Sequence, residues 1–212
     1  MKFEEKGMLG PFTIITSFIT GAIFPLLGSL IALDVGLPNV PYLEGIVLVM
    51  IGGFLAHWVL SHTIHDLIHS KIEQRHTYSK KTLQTMLVVV LAVLLSIAIY
   101  LSWERGWPVM VFAIIGAVVS IYAEGWLHHE SQMAFGAMFL VIGGFYVQAA
   151  TLDLDWMIWL KVVMMALFAF FSQYGWLLFY RLDDYKYNVR VKNRSILIAK
   201  CGLFFLLAYL FL

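Results

Sequence analysis

The stretch that decides the fold is TLQTMLVVVLAVLLSIAIYLS, residues 82–102, which contains no charged side chain. An α-helix rises about 1.5 Å per residue, so a helix over this stretch would be about 30 Å long. That length matches the hydrocarbon thickness of a bilayer. Because a backbone in lipid must satisfy its own hydrogen bonds, the stretch predicts a transmembrane helix.

Six other stretches are also predominantly apolar and long enough, or nearly so, to span a bilayer. The chain has 212 residues, of which 61% are hydrophobic and 13% are charged, whereas soluble domains contain roughly 45–50% and about 25%. We therefore expect an all-α, polytopic transmembrane helical bundle of about seven helices, with residues 1–212 as one domain. The predicted spans are residues 9–33, 43–64, 82–102, 107–127, 134–151, 156–180 and 195–212.

The composition also argues against several classes of protein. The 14 Lys and Arg residues against 13 Asp and Glu residues give a net charge of +1, which argues against nucleic-acid binding through bulk charge. A single cysteine, Cys201, excludes a disulfide framework and a Cys-rich metal site. An aromatic content of 16% argues against disorder. We expect an integral protein of the cell membrane, with the lipid bilayer as its first partner.

The basic residues indicate the orientation of the chain. Among the loops after spans one, three and five, only Arg105 is basic. The positive-inside rule therefore predicts that the N-terminus and the His-rich connections are cytoplasmic and that the C-terminus is outside. The connections after spans two and six contain the basic residues Lys71, Arg75, Lys80, Lys81, Arg181, Lys186, Arg190, Lys192 and Arg194.

A stripe of histidines closes the second span, in the sequence HWVLSHTIHDLIH at residues 57–69. At 100° per residue, four side chains of this segment fall within about 100° of arc, and His57 is predicted to point elsewhere. Such a stripe suits Zn²⁺ or non-haem iron. The alternative is a set of solvated or hydrogen-bonded histidines. The four side chains are His62, His65, Asp66 and His69.

The fourth span contains a carboxylate and an imidazole four residues apart, Glu124 and His128. They share a helix face, and an ionisable group within a span is a candidate for function. The alternative is a structural hydrogen bond to a neighbouring helix. His129 and Glu130 lie further out and are expected to be solvated.

The end of the sixth span carries a third polar cluster. Tyr180, Asp184 and Asn188 repeat every four residues and therefore share a stripe. The adjacent carboxylates of Asp183 and Asp184, beside five basic residues, suit a phosphorylated ligand bridged by metal. A salt-bridged loop is the alternative.

Three segments make the sequence similar to the UbiA-type intramembrane aromatic prenyltransferases, especially the branch that makes menaquinone. GAMFLVIGGFYVQ at 136–148 resembles the fifth helix of that family, with Tyr146 and Gln148 in register. DYKYN at 184–188, followed by KNRS at 192–195, resembles the second motif of the family, and IHSKIEQR at 68–75 resembles the tail of the first.

The resemblance implies a helical bundle whose active site opens to the cytoplasm. The family holds Mg²⁺ with two aspartate-rich motifs, and the metal binds the diphosphate of a prenyl donor. Here Ser61 stands at the Asn position of the first motif, and His62, His65 and His69 stand at its three Asp positions. In the second motif only Asp184 matches. Because imidazole suits Zn²⁺ or Fe²⁺ better than Mg²⁺, we expect a changed divalent metal if one is bound.

The first functional hypothesis is a divergent prenyltransferase that transfers the prenyl group of a polyprenyl diphosphate to a lipophilic acceptor. In this hypothesis, a metal would be held by His62, His65, His69, Asp66 and Asp184. The catalytic residues would be Asp184, Asp183, Tyr180 and Glu124. The substrate-binding residues would be Arg75, Lys192, Arg194, Asn188 and His128.

Two alternatives stay open. One is a Zn- or Fe-dependent membrane enzyme on the same scaffold. The other is a non-catalytic accessory subunit that holds a quinone-like or other lipophilic small molecule in a membrane complex. The family usually has nine spans and this sequence predicts seven, so a membrane-protein partner would complete the wall of the lateral cavity in the second case.

Overall fold

A computed structural model describes residues 8–73, 78–122 and 129–212, without the side chains of 70–73 and 120–122. The described ranges contain seven continuous helices, two of which include a turn of π-helix. These are α1 (Pro11–Asp34), α2 (Leu43–Leu55, Ala56–Leu60 and Ser61–Glu73), α3 (Lys80–Arg105), α4 (Pro108–Tyr122), α5 (Glu130–Ala149), α6 (Trp156–Tyr180) and α7 (Val189–Phe211).

Six of these described helices are long and apolar enough to cross a membrane, namely α1, α2, α3, α5, α6 and α7. This confirms the prediction of an all-helical integral membrane protein. The remaining predicted span, 107–127, appears as the shorter helix α4, which has 15 residues in the described part of the chain.

Short polar side chains begin several of the helices. The side chain of Ser79 accepts a hydrogen bond from the backbone N–H of Thr82 at 3.1 Å and so caps α3. Asp155 caps α6 in the same way, with 2.7 Å between its Oδ1 and the nitrogen of Met157. Such caps satisfy backbone donors that have no partner inside the helix.

The centre of the bundle is formed by α1, α5 and α6, which bury Phe24, Val141, Phe145 and Val162. A Cβ atom on Gly144 of α5 would overlap the carbonyl of Pro25 on α1. Small residues thus let the two backbones touch, as is usual for helices that pack in lipid.

Each of two π-helical turns interrupts a helix at the same depth of the bundle, Ile19–Ile23 in α1 and Ala56–Leu60 in α2. Pro25 follows the first turn and lacks the N–H that a regular ladder needs there. Gly21, within the first turn, and Gly53, shortly before the second, approach so closely that a Cβ on either would overlap the carbonyl of the other. A π-helix bonds residues five apart, so it changes which side chains share a face.

The single basic residue among the loops after spans one, three and five has a structural role. Arg105 ends α3 and donates to the backbone carbonyls of Val147 and Gln148 at the end of α5. The buried amide of Gln148 in turn bonds both the N–H and the carbonyl of Tyr42, at 3.0 Å each. This cluster joins three helices at the end of the bundle that lies opposite the histidines.

Candidate functional site

A cavity of about 400 Å³ lies between the helices and is bordered by residues of α1 to α6. Most of its wall is apolar, with Leu48, Leu94, Leu101 and Val109 among the lining side chains. Its polar lining lies at the end of the bundle where α2 and α6 finish, which we call the histidine end. The polar lining includes Ser17, His57, His62, His65, Gln173 and Arg181.

Three of these lining side chains and the buried Thr20 behind them form one chain of hydrogen bonds across α1, α2 and α6. The hydroxyl of Thr20 donates to Oε1 of Gln173 at 2.8 Å. The amide nitrogen of Gln173 lies 3.4 Å from Nε2 of His57, and Nδ1 of His57 lies 3.3 Å from the hydroxyl of Ser17. Thr20, Gln173 and Ser17 are all buried. We call the hydrogen-bonded set of Ser17, His57, Gln173 and Thr20 the Ser17–Thr20 relay, after its two ends.

The direction of the first bond assigns the others. Because Oε1 of Gln173 accepts from Thr20, its amide nitrogen is the donor toward Nε2 of His57. His57 then carries its hydrogen on Nδ1 and donates it to Ser17. The hydroxyl hydrogen of Ser17 is not used in this bond.

The structure places His57 on the cavity together with His62, whereas helical periodicity predicted that His57 points away from the stripe. The π-helical turn Ala56–Leu60 explains the difference. Residues five apart lie nearly above one another in a π-helix, and His57 and His62 are five apart. The sequence contained no signal for this turn.

The histidine stripe is divided by the structure. His62 and His65 line the cavity, but Asp66 and His69 are outside its described lining. Nδ1 of His65 lies 3.3 Å from Oδ1 of Asp66, and the rings of His65 and His69 are 5.3 Å apart. Nδ1 of His62 lies 2.8 Å from the backbone carbonyl of Trp58.

The described side chains do not complete the expected metal site. Within residues 8–69, 78–119 and 129–212, no three side chains of His, Cys, Asp or Glu lie together as metal ligands. Asp184 is held at a different place, as described below. The zinc or iron prediction therefore stays a prediction, which elemental analysis of the purified protein tests.

A buried ion pair lies at the same end of the cavity. Nη1 of Arg181, just after α6, is 3.1 Å from Oε1 of Glu130 in the first turn of α5. Tyr185 donates to the same oxygen at 2.8 Å, and Asp184 accepts from Nε of Arg181 at 3.0 Å. Glu130 is only 1% exposed, so the expectation that it is solvated was wrong. His129, by contrast, is exposed and caps α5.

The pKa values of two groups in this cluster are shifted. Burial alone would lower the pKa of Arg181, but the carboxylates of Glu130 and Asp184 outweigh it and raise this pKa. Burial and the bond to Glu130 raise the pKa of the Tyr185 hydroxyl. Arg181 therefore stays a cation and Tyr185 stays a donor. Sequence reasoning had placed Arg181 only in a basic loop and missed its position at the cavity.

The residues predicted around the sixth span do not come together at one site. Tyr180 does line the cavity, and its ring stacks on Phe12 with 6.3 Å between centroids. Asp183, by contrast, lies in the turn that follows α6. Asn188 caps α7 by accepting from the N–H of Arg190 at 2.8 Å.

Two predicted substrate-binding cations are exposed on α7, and neither belongs to the described cavity lining. They are Lys192 and Arg194. Arg194 donates to the hydroxyl of Tyr174 at 2.9 Å, so it packs against the outer side of α6.

Three further predicted site residues lie outside the residues whose side chains the structure describes. They are Arg75, Glu124 and His128.

Compared with protein-family models, curated proteins and solved structures, the chain matches none. The resemblance to the UbiA-type prenyltransferases therefore stays a prediction from the motifs quoted above.

Proposed function

We propose that the protein binds an elongated lipophilic molecule, of the quinone or isoprenoid type, in its central cavity. The observation that carries the proposal is the combination of a long apolar wall with the Ser17–Thr20 relay at one end. Ligand pockets of this size are mostly apolar and carry a few polar groups that fix the orientation of the ligand.

The relay supports an oxygen-bearing head group. Ser17 has a hydroxyl hydrogen to give, and a quinone carbonyl is an acceptor that has none. The apolar tail would extend along Leu94 toward Leu101 and Val109, which lie near the opposite end of the bundle. This arrangement agrees with the hypothesis of an accessory subunit that holds a quinone-like molecule.

The test is direct measurement of bound ligand. The purified protein is extracted with organic solvent, and quinones and polyprenyl lipids are identified by mass spectrometry. A short-chain quinone analogue is then titrated against wild type, Ser17→Ala and His57→Phe, with His129→Ala as an exposed control. We expect affinity to fall about five- to tenfold in the two cavity variants, because one hydrogen bond is worth about 1 kcal/mol. Equal affinities for all four proteins would refute the assignment of the head group.

Prenyl transfer is the second candidate, and the position of Arg181 favours it. Its guanidinium lines the cavity beside Tyr180 and is held in place by Glu130 and Asp184. A fixed cation at the mouth of an apolar cavity would attract a diphosphate group and stabilise it as it leaves. The acceptor would lie deeper, against aromatic side chains such as Phe112.

The two candidates differ in the ligand that binds. Labelled geranyl diphosphate is offered with Mg²⁺, Zn²⁺ or Fe²⁺, and both binding and release of diphosphate are measured. Binding that is lost in Arg181→Met, together with diphosphate release, would support prenyl transfer. Quinone binding without any diphosphate binding would favour the non-catalytic function.

A further inference from the structure

We infer that a shallow groove between α6 and α7 is a binding site for an anionic phospholipid, with Lys200 as its phosphate ligand. The described linings of this groove and of the central cavity share only Trp176, and the inference does not depend on what the cavity binds. The groove walls include Phe179, Ile196 and Leu203, and Ala199 and Lys200 also line it.

Lys200 occupies an unusual place for a charged residue. It is the middle residue of α7, eleven after Val189 and eleven before Phe211. Its surroundings on that face are apolar, with Leu197 63% and Phe204 67% exposed. Within the described ranges, Lys200 has no ion pair or hydrogen bond with another side chain. Placing a charged side chain at membrane depth costs free energy, and an anionic partner lowers that cost.

The geometry of α7 brings the ammonium group of Lys200 to a lipid phosphate. The basic start of the helix ends at Arg194, six residues earlier, which is about 9 Å along the axis. Side chains on a helix lean toward its N-terminus, and lysine reaches the interface with a four-carbon stem. The phosphate would therefore lie between Lys200 and the basic residues at the start of α7.

The groove itself fits one acyl chain. Gly175 of α6 packs so tightly on Ser195 and Ala199 of α7 that a Cβ atom on it would clash with both. This close approach leaves a shallow channel floored by small residues and walled by aromatic and aliphatic ones. Trp176 lines this groove and also the central cavity, so its indole reports on the groove.

Quenching of tryptophan fluorescence by brominated lipids tests the inference. The full chain is reconstituted in phosphatidylcholine vesicles that contain a minor fraction of brominated phosphatidylglycerol or, in parallel, of brominated phosphatidylcholine. We expect stronger quenching by phosphatidylglycerol. Lys200→Gln should reduce this preference about fivefold, because each basic residue near an anionic lipid surface raises the affinity for that lipid by about this factor. Trp176→Phe should remove most of the difference.

Two controls keep the test specific. Lys80→Gln removes the same charge from the exposed start of α3 and should leave the preference unchanged, and Lys200→Arg should preserve it. Equal quenching by the two lipids, or a preference that survives in Lys200→Gln, would overturn the inference. A different outcome is that Lys200→Gln loses a co-purifying membrane protein but keeps the lipid preference. That result would overturn the inference, because Lys200 would then pair with a carboxylate on a helix of that protein.

Discussion

Arg181 and Glu130 form a buried ion pair that joins the end of α6 to the start of α5, with 3.1 Å between Nη1 and Oε1. The pair lies at the histidine end of the cavity, where Arg181 is part of the described lining and the buried Glu130 is not. The carboxylate is also favourable at the positive end of the α5 dipole.

We predict that Glu130→Gln destabilises the protein by about 2 kcal/mol, because the hydrogen bonds of Arg181 and Tyr185 lose their charged acceptor. Asp184 still pairs with Arg181 and limits the loss. The melting temperature of the purified protein measures this effect. Glu104→Gln, at an exposed carboxylate near the end of α3, is the matched control and should change little. If Arg181→Met destabilised the Glu130→Gln variant as much as it destabilises the wild type, the two residues would not be coupled and the pairing would be contradicted.

Tyr185 gives a pH-dependent prediction. Its pKa is raised in the folded protein by burial and by the bond to Glu130, so the protonated hydroxyl stabilises the fold. That contribution is complete below the unfolded pKa of about 10 and is lost as the pH rises above it. Tyr185→Phe should be less stable at neutral pH, and its stability should fall less steeply between about pH 9 and pH 11. Parallel curves of unfolding against pH for the two proteins would contradict the assignment.

Contact between α1 and α2 depends on Gly53. A Cβ atom there would overlap the carbonyl of Gly21, so Gly53→Ala should cost about 1–3 kcal/mol through overpacking. Gly136→Ala is the control, because a Cβ atom at Gly136 meets nothing within 4 Å. Since alanine favours helix over glycine, the control should be neutral or slightly stabilising. Thermal unfolding compares the two, and equal shifts would show that the close approach does not matter.

Gln148 is expected to matter for folding rather than for ligand binding. Gln148→Leu removes both hydrogen bonds to the backbone of Tyr42 and leaves buried polar groups unsatisfied, at a cost of about 2 kcal/mol. Gln84→Leu, on the exposed face of α3, serves as the control. Quinone affinity measured at a temperature where both proteins are folded should be unchanged, and a large loss of affinity would contradict a purely structural role.

A side chain that fills the cavity should weaken ligand binding without lowering the stability of the unliganded protein. Gly116 lines the cavity, and a Cβ atom there meets nothing within 4 Å. Gly116→Leu should therefore keep the melting temperature of the unliganded protein while it weakens binding of the lipophilic ligand at least tenfold. Ligand titration on the folded variant measures this effect. Undiminished affinity would place the ligand outside the cavity.

The sequence predicted the helical membrane architecture well, because that architecture follows from hydrophobicity and from backbone hydrogen bonding in lipid. Of the site residues predicted from the sequence, His62, His65 and Tyr180 line the cavity. The sequence did not predict the burial of Glu130, because position near a helix end reveals nothing about a partner 51 residues away.

The sequence by itself determined that this chain is a bundle of apolar helices whose few polar side chains are informative. Only the tertiary structure decided which polar groups meet. A π-helical turn rotates His57 toward the cavity, and contacts between distant helices join it to Ser17 and Gln173. Hydrophobic periodicity is a local property, whereas the pairing of polar groups depends on the register and the close approach of helices far apart in the chain.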